Sequence, residues 1–431
     1  MTDRKMIQMR AFQMLLVFVT LATARSASAD TFTLKPVASG LGKKTEWKQL
    51  RSLPLSETPP DGLKKVPAGL IHPLYGVFTL GPREHPGNFF VVLDALEGKP
   101  ERLFVDTNGD GDLTNDPPAE WSSSHYRNSA DADLTQYFGS ANLLVRYGAV
   151  TRPLHLCFQR WDQQDPSHEQ SRSLLTYYAD YATEGRVTLG KRSYDVMLAD
   201  TLAAGDFRGA PAPGPSRVML MIDVNEDGKF DTRGEVFDSR APFTLQGVTY
   251  EVREVSASGD SLSIERSMRS VPEVPAPPNL LPGHKAHPFT AVATDGSAVR
   301  FPSDFHHKLV LLYFWATWCG SCAQDLPHVL KTYETFHGNG LDILGISLDH
   351  PDAGAVLSKY TRDRKMPWRQ VYDGKWWNAA VARLYFVNHT PTALLVDGTT
   401  GRILAAGQDL RGPRLPATVR AVLAARKIHS Q

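Results

Sequence analysis

At 431 residues, with 47 Lys+Arg against 46 Asp+Glu, the chain is too long for one ordinary core and carries no net field to recruit nucleic acid or an anionic membrane. Its 30 Pro and 33 Gly point to many turns and strands rather than helical bundles. Three cysteines are too few for a disulfide-stapled scaffold.

The N-terminus carries Arg4, Lys5 and Arg10, an apolar stretch over about 11–22, then Ser26-Ala27-Ser28-Ala29. This is the positive region, apolar region and small-residue cleavage site of a secretory signal peptide, residues 1–29, with cleavage expected after Ala29. The apolar stretch is short against the ~20 residues of a membrane span, and no later run is long enough. No cysteine lies beside the cleavage site to take a lipid. The expectation is export to the periplasm or the extracellular space, where oxidising conditions prevail. An uncleaved signal would leave the protein membrane-associated; after cleavage no transmembrane span remains.

Residues 30–270 read as mainly β: short runs such as 88–93, 103–105, 218–222 and 250–252 are separated by Gly, Pro and Asp clusters. Two acidic loops each follow an apolar strand, Asp106-Thr-Asn-Gly-Asp-Gly111 and Asp223-Val-Asn-Glu-Asp-Gly228. They suggest a duplication with halves 30–150 and 151–270. Asp106, Asn108, Asp110 and Asp112, and likewise Asp223, Asn225, Asp227 and Asp231, match the first two thirds of a calcium loop. Alternating oxygens there converge on one hard cation, and Gly at the sixth position permits the turn. The twelfth position is Pro117 or Gly234 instead of Glu, with Asp116 or Glu235 one residue away. The expectation is a pair of calcium-loop-like hairpins holding weak, structural Ca2+; the alternative is ion-free turns closed by Asx hydrogen bonds. Cys157, in PLHLCF, reads as a buried small hydrophobe, the alternative being a resolving or intermolecular thiol.

The run 271–288, VPEVPAPPNLLPGHKAHP, has a proline density that favours extended chain and reads as a disordered linker. Beyond it, 289–431 alternates. A hairpin turns at Asp295-Gly296, 308–315 is a buried strand, and 319–336 is a helix with Leu326, Val329, Leu330, Tyr333 and Phe336 on one face. A second strand at 341–348, helices at 353–364 and 378–385, a hairpin of 393–396 with 403–406, and a closing helix at 416–426 complete the pattern. The sum is an α/β domain with a mixed central sheet and helices on both faces.

The first of those strands runs into Trp318 and Cys319-Gly320-Ser321-Cys322. A C-x-x-C motif opening a helix after a strand is the redox-dithiol pattern, because the helix N-terminus favours a thiolate. Structural zinc would need two more ligands at similar spacing, and haem attachment would need His where Ala323 stands.

Phe314-Trp-Ala-Thr-Trp-Cys-Gly-Ser-Cys322, Pro327, and Thr390-Pro391-Thr392 before a strand ending at Asp397 together resemble the thioredoxin fold, and within it the exported TlpA/ResA-type thiol-disulfide oxidoreductases. The resemblance covers about 285–431. It implies that Cys319 is the exposed attacking thiolate and Cys322 the resolving thiol. Trp318 would shield the pair and pack beside a bound polypeptide. Pro391 would be a cis-proline that holds the Thr390 backbone open to an extended substrate. Asp325, three residues past Cys322, would help move the resolving thiol's proton; a solvated surface carboxylate is the other reading. Pro327 would kink its helix. Ser321, where the family commonly has proline, leaves the direction of electron flow open.

The functional expectation is an exported enzyme exchanging disulfides with cysteine-containing protein substrates and a redox partner protein. It would use no catalytic cofactor beyond its own disulfide. One alternative is a calcium-stabilised binding or scaffold protein with an accessory thioredoxin-like domain. Another, a peroxiredoxin-like peroxidase, lacks the P-x-x-x-T-x-x-C context around Cys319.

Overall fold

The computed structural model describes residues 29–45, 48–95, 100–127, 133–171 and 173–428. Nearly all of the expected signal peptide lies outside them.

Residues 30–266 form four antiparallel sheets. Valine, aromatic and leucine residues alternate inward along these strands, and one core joins the sheets through Leu53, Phe78, Val91, Leu143, Phe158, Val196, Leu220 and Ile264. The strands are interleaved in sequence. Asp30–Thr33 pairs with Ser261–Arg266, and Lys35–Val37 pairs with Ala182–Leu189. Arg51–Pro54 pairs with Leu174–Ala179. The expected division at residue 150 therefore falls in the tight turn between Asp133–Tyr147 and Val150–Arg160, the longest hairpin in the region. A period-2 pattern marks a strand but not its partner, so two acidic loops in sequence did not mean two separate halves.

The loops themselves differ. Asp223–Gly228 lies within a true hairpin, Val218–Ile222 paired with Val236–Asp238. The first loop follows Arg102–Val105, which belongs to one sheet, and leads to Glu120–Arg127, which belongs to another. It is a crossover between sheets, not a hairpin.

The proline-rich stretch is extended, as its composition dictates, but it is docked. Val271 O accepts a bond from Thr244 Oγ1, and the Glu273 carboxylate accepts from the Gln246 and Gly247 N–H groups. Asn279 Nδ2 donates to the carbonyls of Asn225 and Glu226. Proline removes donors, yet every carbonyl remains able to accept.

The C-terminal domain has a five-stranded sheet in the order Gln370–Val371, Leu341–Ser347, Leu309–Trp315, Thr392–Asp397, Ile403–Ala406. The first two strands run parallel to the central Leu309–Trp315 strand and the last pair includes an antiparallel neighbour, so the sheet is mixed. All seven residues of the central strand are buried. Since successive side chains point to opposite faces, both faces of the sheet are covered. The helix Gly320–Phe336 contributes Leu326, Val329 and Phe336 to this core, and the closing helix Arg414–Ile428 contributes Leu415 and Val419. Each such fully buried Leu or Phe is worth roughly 1.5–3 kcal/mol of transfer free energy.

Residues 30–150 expressed alone should show no cooperative urea transition, because the partners of Asp30–Thr33, Lys35–Val37 and Arg51–Pro54 lie beyond 150, whereas 30–270 should unfold cooperatively. A sigmoidal transition from 30–150 by circular dichroism would mean that it folds by itself.

Candidate active site

The central strand ends at Trp315, and the chain must turn before the helix. Asp349, fully buried just past the neighbouring parallel strand, fixes that turn. Its carboxylate accepts from Thr317 N at 3.1 and 3.2 Å, from Thr317 Oγ1 at 2.6 Å and from Ser347 Oγ at 2.7 Å. Cys319 is the N-cap of the following helix, its sulfur accepting the Cys322 N–H at 3.1 Å. A sulfur in this position faces the unpaired amides and positive end of the helix, which favour negative charge on it.

Cys319 and Cys322 are joined in a disulfide. The resemblance implied an exposed Cys319, but in this oxidised state the residue is only 6% exposed and Cys322 3%. Its sulfur lies 3.4 Å from the Ser321 hydroxyl, which donates to the Thr390 carbonyl at 3.3 Å. Ser321 thus ties the dithiol to the opposite loop, a role proline could not fill. The Thr390–Pro391 bond is cis. Pro327 lies inside the helix, as expected.

Trp318 is 44% exposed and donates through Nε1 to the Leu348 carbonyl at 3.2 Å. It stands edge-on to Trp377, with centroids 5.8 Å apart, and close to His350, which stacks on the exposed Trp376 at 4.7 Å. The dithiol therefore has an aromatic rim of four side chains, of which the sequence singled out one.

Asp325 is not a freely solvated surface carboxylate. Its side chain is 13% exposed and forms an ion pair with Arg411. Arg411 also reaches the Pro391 carbonyl at 3.4 Å. Beside them, the buried Tyr313 hydroxyl has no hydrogen-bond partner among the described residues. Burial and then the Asp325 charge push its pKa well up, against an opposing pull from Arg411. Arg411 follows a short 3-10 turn, Gly407–Leu410, 86 residues after Asp325, and no local motif announced it.

The acidic loops close on themselves. Asp106 accepts from the Gly109 and Gly111 N–H groups, and Asp110 N and Asp112 N donate to Asn108 Oδ1 and Asp110 Oδ1. Asp112 is ion-paired with Lys65. Gly111 sits at φ +79°, and a Cβ there would meet the Gly62 carbonyl at 2.5 Å, so glycine is required. In the second loop Asp223 accepts from Asp227 and Gly228 N–H. The fully buried Glu235 accepts from the N–H groups of Val224, Asn225 and Asp231, and burial pushes its pKa up to about 7. Among the described residues, neither loop brings three acidic side chains within 4.8 Å of one another. The Asp231–Arg233 end of the second loop meets Trp377–Asn378 and Ala382–Asn388 across an open cleft of about 360 Å³, with Arg233 over the Phe386 ring at 5.0 Å.

A cysteine pair closed at a helix N-terminus, facing a cis-proline on a mixed sheet, defines a thioredoxin-fold domain with a redox-active disulfide. Residues 282–405 match the AhpC/TSA family. Thiol-disulfide oxidoreductase ResA from Bacillus thuringiensis subsp. konkukian is 26% identical over 130 residues, covering 30% of this chain and 69% of that protein. ResA from Oceanobacillus iheyensis is 29% identical over 102 residues, 24% of this chain and 50% of its own length. Among solved structures, the thioredoxin domain of a thiol-disulfide oxidoreductase from Bacteroides vulgatus is 33% identical, covering 33% of this chain and 99% of that one, with a TM-score of 0.30. The C-terminal third is accordingly a thioredoxin-fold domain related to the ResA oxidoreductases, an oxidoreductase domain of the thiol-disulfide class. These similarities cover about a third of the chain.

Arg411→Ala strands a mostly buried carboxylate, and should cost about 1–3 kcal/mol in urea unfolding of the oxidised protein. Adding Asp325→Ala should recover part of that loss. Unchanged stability in the single variant would rule out a clamp.

Proposed function

We propose that the protein is exported and exchanges disulfides with cysteine-containing polypeptides through Cys319 and Cys322. The observation that carries this reading is the Cys319 sulfur at the helix N-terminus, accepting the Cys322 N–H beside the cis Thr390–Pro391 bond.

In the reducing direction the Cys319 thiolate attacks one sulfur of a substrate disulfide. That S–S bond breaks, a mixed disulfide forms, and the other substrate sulfur leaves as a thiolate. Cys322 then loses its proton and attacks the Cys319 sulfur. The intramolecular disulfide closes, the substrate departs as a dithiol, and two electrons have passed to it. The oxidising direction is the reverse. Asp325, held by Arg411, is the nearest carboxylate in sequence to accept the Cys322 proton. Trp318 and its aromatic neighbours flank the substrate, and the Thr390–Pro391 segment presents backbone to it. A redox partner protein resets the pair, and the disulfide itself is the only catalytic cofactor.

Residues 30–270 lie outside the matched stretch and support a second reading, a binding scaffold whose redox domain is accessory. Weak structural calcium in the two acidic loops belongs to either reading. Its support is the spacing of Asp106, Asn108 and Asp110 and of Asp223, Asn225 and Asp227, with Asp116 and Glu235 each one residue from the twelfth position.

Cys322→Ser should accumulate mixed disulfides on Cys319, resolved by reductant, while Cys319→Ser should trap none. The wild-type pair should titrate as a reversible two-electron couple within roughly −120 to −270 mV, the span of known exchange proteins. Irreversible behaviour in every redox buffer would end the exchange reading.

Calcium at a hundredfold over a Kd of about 0.1 mM should add about 2.7 kcal/mol for each loop it fills, and raise Tm by roughly 5–10 °C per filled loop. Asp106→Asn with Asp223→Asn should abolish the shift. A melting curve indifferent to 10 mM calcium, about a hundredfold over that Kd, would leave the loops as ion-free turns.

A further inference from the structure

Away from the dithiol, the β-rich region gathers three metal-ligating side chains that the exchange chemistry does not use. His155 and Cys157 are two apart on Val150–Arg160 and so point to the same face of the sheet. Asp180 follows the neighbouring strand Leu174–Ala179, and its N–H donates to the His155 carbonyl. A ring nitrogen of His155, the Cys157 sulfur and an Asp180 oxygen all lie within 4.8 Å of one another, and all three residues are half-buried.

We propose that His155, Cys157 and Asp180 form a zinc site, with its fourth position open to water or a further ligand. Zinc bonds of about 2.0–2.3 Å in tetrahedral geometry place donor atoms about 3.3–3.8 Å apart, which small side-chain rotations here would reach. Thiolate and imidazole donors select a borderline-soft cation over calcium or magnesium.

Two of the three ligands are held by further hydrogen bonds. His155 Nδ1 lies 2.9 Å from Asn142 Oδ1, directly across the strand pair. An amide oxygen only accepts, so Nδ1 is the donor in this contact, and in the neutral ring the lone pair then lies on Nε2. That is the arrangement by which an outer carboxamide or carboxylate orients a ligating histidine. Both Asp180 oxygens are positioned, Oδ2 by the Gly40 N–H and Oδ1 by the Gly42 N–H, each at 2.8 Å. Each retains a lone pair.

Burial keeps the Cys157 thiol protonated, as do the charges of Asp180 and Glu120, while the Tyr178 hydroxyl and Lys48 ammonium pull the other way. Zinc would replace that thiol proton, releasing one H⁺ to solvent as the S–Zn bond forms, with no change of oxidation state. The site has a consequence for a protein that carries a disulfide-exchanging pair. Cys157 is the one cysteine of the three outside the pair, and a metal-bound sulfur is withheld from disulfides with partners of Cys319.

In the oxidised full-length protein Cys157 is the one thiol left to alkylate, since Cys319 and Cys322 are paired. Iodoacetamide labelling of Cys157, followed by mass spectrometry with zinc chloride or with chelator, reads the site directly. The expected result is one zinc per chain and labelling slowed at least tenfold by zinc. His155→Ala and Asp180→Asn should each remove the protection. Asn142→Ala, outside the ligand set, should weaken it about tenfold or more. Equal labelling with zinc and with chelator in the wild type, or protection undiminished in both ligand variants, would overturn the site. The readout is independent of exchange activity, so failure of either reading leaves the other standing.

Discussion

The structure of the redox domain depends on one strand that has nowhere to expose itself. Leu309–Trp315 is buried along its whole length and hydrogen-bonded on both edges, so it cannot slip without placing apolar side chains or unpaired amides in the wrong place. The chain leaves it only at Trp315, and everything that meets the dithiol meets it at that end. The parallel neighbour delivers Ser347 and Asp349 there because it runs in the same direction. The antiparallel neighbour delivers Thr390 and Pro391 because it begins where the central strand stops, Phe314 being paired with Thr392. A mixed sheet thus brings three distant segments to one point.

That convergence explains which parts of the site were legible in the sequence. Cys319, Cys322, Trp318 and Pro391 announce themselves through local chemistry: two sulfurs at fixed spacing on a helix start, and a proline entering a strand. Asp325 was visible by helical spacing, but its partner was not. Arg411 lies 86 residues away in a polar turn with no periodicity to mark it, and Asp349 reads locally as one more loop acid. Ion pairs and buried carboxylates made by tertiary contact leave no local trace. The aromatic rim was missed for a similar reason. Trp376 and Trp377 sit in a segment that looks like an ordinary amphipathic turn until His350 and Trp318 are beside it.

The β-rich region shows the same divide at larger scale. Short β-prone runs between Gly, Pro and Asp clusters identified its strands but were silent on pairing, so the two acidic loops suggested two halves where the sheets interleave. Local composition also overstated the freedom of 271–288. Its prolines withhold donors, but its carbonyls, Glu273 and Asn279 still find partners on the sheets, and these were invisible until the sheets had formed. The acidic loops carry a genuine ambiguity of chemistry. The same Asp and Asn oxygens that could surround a cation accept the loop's own N–H groups in its absence, and sequence spacing is identical in the two states.

The docked linker gives the second loop a mechanical consequence. Asn279 grips its backbone at Asn225 and Glu226, and Arg233, at its far end, lies over Phe386. Phe386 lies two residues beyond the short helix Ala380–Leu384, which follows Trp376 and Trp377 in the chain. Trp377 in turn contacts Trp318 beside the disulfide. Two contacts, Arg233 over Phe386 and Trp377 beside Trp318, joined by the stretch of chain 377–386, therefore lie between an acidic loop and the rim of the dithiol. The open cleft at Arg233 lies beside that route. The cleft, lined on one side by the β-rich region and on the other by the redox domain, is where the two parts of the chain can act on each other.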